Sequence, residues 1–154
     1  MRLLIFSRRL SEDRGVMDVN CTTPHIWISL RDPDLQPANL PDNKMRKAAL
    51  FLAFDDIDGD EHGNPMGNLE HDTRDWIAMQ PDHANQIVDL VNKWKDTIDL
   101  ICVNCEAGIS RSAGCAAALS IWLNGNDSGI GDNDSYFPNV HVKSLILRAA
   151  RGVS

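Results

Sequence analysis

No stretch of the chain approaches the roughly 20 consecutive apolar residues that a bilayer-spanning helix requires. A secretory signal is not expected either, because Ser7-Arg8-Arg9 interrupts the apolar opening Met1 to Phe6 too early. Cysteine is scarce, four in 154 residues, too few and too scattered for a disulfide scaffold. That scarcity favours a reducing compartment, the cytoplasm. The cysteine spacing gives no zinc pattern, and neither a metal nor another cofactor is expected. Positive charge is also short: a net charge of −7 argues against nonspecific binding to nucleic acid or to an anionic membrane, which need clustered basic residues. No internal repeat, linker or low-complexity tract breaks the sequence. One domain over 1–154 is therefore expected, with a single core that buries about two-thirds of the unfolded surface.

What the chain does contain is concentrated in Cys105-Glu106-Ala107-Gly108-Ile109-Ser110-Arg111-Ser112. The apolar run Leu100 to Val103 before it is short and reads as a buried strand. Ala113 to Leu123 after it is long enough for a helix, stopped by Asn124-Gly125. A tight loop thus joins a strand to a helix N-terminus, where unpartnered amides and the positive end of the helix dipole favour an anion. Gly108 permits the turn that points successive amides inward, and Arg111 adds a planar fork of donors suited to phosphate oxygens. Cys105, in the same positive field, is favoured as thiolate and so as nucleophile.

Cysteine, five residues, arginine and serine form the signature loop of the cysteine-dependent protein phosphatases, and this chain resembles their small dual-specificity branch. The resemblance implies that Glu106, Ala107, Gly108, Ile109, Ser110 and Arg111 bind the phosphoryl group. It also implies a two-step reaction in which Cys105 attacks phosphorus, a carboxylic acid protonates the leaving oxygen, and water hydrolyses the phosphocysteine. Ser112 then assists departure of the thiolate while Arg111 holds the transferred group. One departure stands out: the family usually has His before the nucleophile, and here it is Asn104, which brings no charge. Activation then rests on the loop amides, the helix end and Arg111.

Other segments fall into alternating strands and helices. Arg2 to Phe6, His25 to Leu30 and Ala49 to Phe54 read as strands; His25 is expected at an edge or as a cap rather than as a ligand. Ala84, Ile87, Val88, Val91, Trp94 and Ile98 form one helical face behind Pro81-Asp82, and Val140 to Ala150 suggests a closing helix. The expected fold is α/β: a single domain with a largely parallel central sheet flanked by helices, and the phosphate-binding loop between a central strand and a buried helix. Cys102 and Cys115 are expected to pack beside the loop, each a candidate partner for an oxidised Cys105.

Asp55 and Asp56 end an apolar strand, where open α/β sheets place functional groups. In the family resembled, the general acid follows such a strand, and Asp56 matches that place best. Asp55 is the nearest rival. Asp72 and Asp75 compete, because their separation from Cys105 is one that smaller family members use.

The reading is a phosphatase acting on phosphomonoesters, phosphotyrosine first with phosphoserine and phosphothreonine as further candidates, on a phosphorylated protein or small phosphoester. The absence of Lys before Arg111 in the loop disfavours phosphoinositides. Two rivals remain open: a phosphate-binding interaction module without turnover, and a hydrolase of nucleotide or RNA 5′-phosphates.

Overall fold

A computed structural model describes residues 1–57 and 75–153. In chain order the elements are β1 (Arg2–Ser7), α1 (Arg8–Ser11), α2 (Arg14–Asn20), β2 (His25–Arg31), β3 (Arg46–Ala53), α3 (Pro81–Trp94), β4 (Leu100–Cys105), α4 (Arg111–Asn124) and α5 (Val140–Ala150). Among the described residues the sheet has four strands in the order β1-β4-β2-β3, every pairing parallel. None of the described helices is long and apolar enough to cross a membrane.

The position of each strand follows from its side-chain pattern. All six residues of β4 are buried, as an inner strand covered on both faces requires. In β3 burial alternates with exposure, because it is an edge strand and one of its faces stays in solvent. β3 also starts three residues earlier than the apolar run beginning at Ala49, since Arg46 to Ala48 pair with β2.

Alternation along β2 and β4 divides the interior in two. Ile26, Ile28, Leu30, Ile101, Val103 and Cys105 join the larger cluster with α3, α4 and α5. Trp27, Leu100 and Cys102 face a smaller cluster with Phe6, Met17 and Cys21. His25 corrects an expectation: β2 lies between β4 and β3, and the histidine at its start is fully buried, not at an edge. Burial lowers its imidazole pKa, so the ring is neutral.

Helix α4 is buried over its first ten residues, from Arg111 to Ser120, which suits its nearly all-round apolar sequence. Its approach to the start of α5 depends on Gly114. A Cβ there would come within 2.5 Å of the Asn139 carbonyl oxygen.

Candidate active site

The last residue of β4 is Cys105, and α4 begins at Arg111, so 106–110 bridge the strand end and the helix N-terminus. The turn needs Gly108 for two reasons. Its φ of 74° is the left-handed region, and a Cβ there would lie 2.7 Å from the Ser7 nitrogen and 2.8 Å from the Phe6 carbonyl carbon. The loop is thus pressed against the end of β1, and Arg8 N donates to the Glu106 carbonyl (3.1 Å).

Within that turn the groups face inward. The Gly108 amide donates to Cys105 Sγ at 3.3 Å, and Ser112 Oγ lies 3.0 Å from the same sulfur. Among the described residues the amides of Ala107, Ile109 and Ser110 have no hydrogen-bond partner. Nor does a side chain cap the start of α4: the hydroxyl of Ser110 donates instead to Asp56 Oδ1 at 2.8 Å. The helix end therefore keeps its donors for an anion.

Arg111 is buried and held from one side. Its Nη1 donates to the Phe54 carbonyl at 2.7 Å and to Asp32 Oδ1 at 2.8 Å. Its Nε is buried without a hydrogen-bond partner among the described residues. An unpaired buried guanidinium N–H is costly, and a phosphate oxygen beside it would remove that cost. Asp32, one residue beyond the end of β2, is thus the carboxylate that orients the arginine.

Among the described candidate acids, Asp56 is the one the structure brings to the loop. Besides Ser110, its Oδ1 accepts from Asn139 Nδ2 at 2.8 Å, and its Oδ2 has no partner among the described residues. Asp55 is turned the other way. It is 2% exposed and accepts from the Ile77 amide at 2.8 Å, so it ties the segment entering α3 to the end of β3. Asp75 is exposed, with no hydrogen bond or ion pair to the loop among the described residues. Asp72 lies outside the described residues.

Asn139 was not singled out by sequence reasoning, yet it organises this side of the site. Its Oδ1 caps α5 at the Val142 amide, its Nδ2 reaches Asp56 and the Ile57 carbonyl, and its own amide donates to the Ser110 carbonyl at 3.0 Å. The capping part was legible, since Asn before a helical run is a start signal. The contact with Asp56, 83 residues away, was not.

Asn104 is buried and accepts from Trp27 Nε1 at 2.8 Å, while its own Nδ2 makes only a long 3.4 Å contact with the Cys105 carbonyl. The Glu106 carboxylate is paired with Arg8 at 3.3 Å. Cys102 and Cys105 are three apart on one strand, so they face opposite sides of the sheet; Cys102 lies 3.8 Å from Cys21 instead. Cys115, on the same side as Cys105, is fully buried, and that burial pushes its thiol pKa far up.

No family model matches the sequence, and no curated protein matches it in sequence. Solved structures do match. A mouse protein described as a candidate dual specificity phosphatase superposes with a TM-score of 0.59 at 14% identity, covering 97% of this chain and 82% of that one. The fold is that of the dual-specificity phosphatases. The human tyrosine phosphatase-like serine/threonine/tyrosine-interacting protein matches with a TM-score of 0.59 at 17% identity, covering 94% of this chain and 87% of its own. Human DUSP28 also gives 0.59, at 13% identity, with 97% and 92% covered. In this dual-specificity phosphatase fold the loop after β4 and the buried helix α4 are the parts that the signature residues occupy.

Proposed function

We propose that this chain is a cysteine-dependent phosphatase that hydrolyses phosphomonoesters through a phosphocysteine intermediate. The observation that carries the reading is the pairing of Cys105 Sγ, 3.0 Å from Ser112 Oγ, with a buried Arg111 Nε that has no hydrogen-bond partner among the described residues, around one helix start. In the first step the Cys105 thiolate forms an S–P bond as the ester P–O bond breaks. Arg111 and the loop amides take up charge on the equatorial oxygens. Asp56 gives its proton to the departing oxygen through Oδ2. In the second step water attacks phosphorus, Asp56 takes the water's proton, and the S–P bond breaks with Ser112 Oγ donating toward the leaving sulfur. Inorganic phosphate and the starting thiolate result.

The rim favours phosphotyrosine. Ile109 and Phe137 are 41% and 72% exposed and are joined by a 3.0 Å backbone hydrogen bond, so an apolar lip borders the loop where an aromatic ring would lie. Phosphoserine and phosphothreonine reach less of it. The partner is then a phosphorylated protein in a reducing, cytoplasmic setting that keeps the thiol free. Nucleotide or RNA 5′-phosphates fit the net charge of −7 less well.

A reading without turnover has one observation in its favour: the residue before the nucleophile is a neutral Asn104 engaged by Trp27. Hydrolysis of para-nitrophenyl phosphate, wild type beside Cys105→Ser, separates the two. Turnover that vanishes in the variant is expected. Binding of a phosphate mimic with no turnover in either protein would leave a binding module.

A further inference from the structure

On the opposite face of the sheet from the loop, three buried side chains that the proposed chemistry does not use converge. Cys21 at the end of α2, His25 at the start of β2 and Cys102 in β4 are 3%, 0% and 0% exposed, and their ligand-capable atoms lie within 4.8 Å of one another. The Cys21 and Cys102 sulfurs are 3.8 Å apart, and Met17 Sδ is 3.8 Å from Cys21 Sγ. Two sulfurs bound tetrahedrally at about 2.3 Å from one ion stand about 3.8 Å from each other, so both separations already have the required value.

The histidine supplies a second, independent observation. Its Nδ1 is engaged with the Thr23 carbonyl at 2.8 Å, while its Nε2 is buried with no hydrogen-bond partner among the described residues. Donation from Nδ1 to a backbone carbonyl fixes the tautomer that leaves a lone pair on Nε2, which is how metal-bound histidines are commonly held. An unpaired buried nitrogen is otherwise a cost with no return. A disulfide between Cys21 and Cys102 would use neither the imidazole nor the thioether, so the four groups together fit a metal better than a redox pair.

We infer that Cys21, His25 and Cys102, with Met17 beside them, form a structural site for a thiophilic closed-shell cation, zinc(II) or copper(I). The donor set of two thiols, an imidazole and a thioether, with no carboxylate among them, excludes the hard cations magnesium and calcium. Zinc binding exchanges two thiol protons for the ion, which leaves the site neutral inside an apolar cluster. Copper(I) needs one. The ion would tie α2, β2 and β4 together beneath Trp27, whose indole holds Asn104 next to the nucleophile. Thr22, the residue after Cys21, is exposed.

The test uses the full chain in a Cys105→Ser background, so that the loop thiol takes no metal. Under anaerobic conditions it is titrated separately with zinc(II), with cobalt(II) as the spectroscopic substitute for zinc, and with copper(I). One equivalent of zinc or copper per chain, a thiolate-to-cobalt charge-transfer band, and at least tenfold weaker binding in Cys21→Ser and His25→Gln are expected. In the unmutated site, bound metal should also protect Cys21 and Cys102 from alkylation, a measurement that needs no further variant to fold. No binding of either ion, or binding that both variants retain, would overturn the inference.

Discussion

Replacing Asn139 by Ser isolates what this asparagine does for Asp56. Serine is also a good helix N-cap, so the bond to the Val142 amide that starts α5 is kept in kind. The serine hydroxyl is too short to replace Nδ2, and two hydrogen bonds disappear: the 2.8 Å bond to Asp56 Oδ1 and the 3.0 Å bond to the Ile57 carbonyl. A bond to a carboxylate contributes about 1.5–3 kcal/mol and one to a carbonyl about 0.5–1.5 kcal/mol, so about 2–4.5 kcal/mol of local fixation is removed. Ser110 still holds the same oxygen of Asp56, so only part of that loss reaches the reaction. A fall in kcat of about 10- to 100-fold is expected, with KM little changed.

The assay compares two aryl phosphates. Phenyl phosphate releases a poor leaving group like that of phosphotyrosine, with a pKa of about 10, and in the proposed mechanism needs the proton from Asp56. Para-nitrophenyl phosphate releases a far weaker base and needs it less. The loss should therefore be several times larger for phenyl phosphate. An equal loss for both substrates, or no loss in a variant whose unfolding midpoint has dropped, would refute a positioning role and leave Asn139 as a helix cap.

Three further outcomes follow from the same geometry. Asp56→Asn should lower turnover of phenyl phosphate by about 10²- to 10⁴-fold, whereas Asp55→Asn should keep turnover and lose about 1–3 kcal/mol of stability in urea unfolding, since its carboxylate holds the Ile77 amide; the reverse pattern would exchange their roles. Gly108→Ala should cost at least about 1–3 kcal/mol for the left-handed backbone, with further loss from contact with Phe6 and Ser7, and should abolish turnover; unchanged unfolding and activity would contradict the close approach. His83 accepts from the Gln80 amide at the start of α3 and lies against Phe54, and burial lowers its pKa. The unfolded chain takes up this proton first, so stability is full above about pH 6.5 and falls as the pH drops below it. Stability measured against pH should decline less steeply in His83→Gln; identical slopes would remove the histidine from the acid response.

The reach of sequence reasoning depended on distance along the chain. Strand β4, the loop, helix α4 and the closing helix α5 were legible, because hydrophobic period, stop signals and the Cys-to-Arg spacing are all properties of neighbouring residues. The Asp55-Asp56 pair behind a strand was legible as a source of candidate acids, although nothing local distinguished one from the other. Their opposite orientations were decided by what folds against them: Ile77 draws one carboxylate inward, while Ser110 and Asn139 draw the other to the loop. The anchoring of Arg111 by Asp32, the hold of Trp27 on Asn104 and the meeting of Cys21, His25 and Cys102 belong wholly to the tertiary structure. Each joins segments whose separation in sequence carries no signal, and each exists because parallel strands distant in the chain become neighbours in the sheet. The residue types needed for the proposed phosphate chemistry are thus written in one short stretch, and the groups that aim them are supplied by packing.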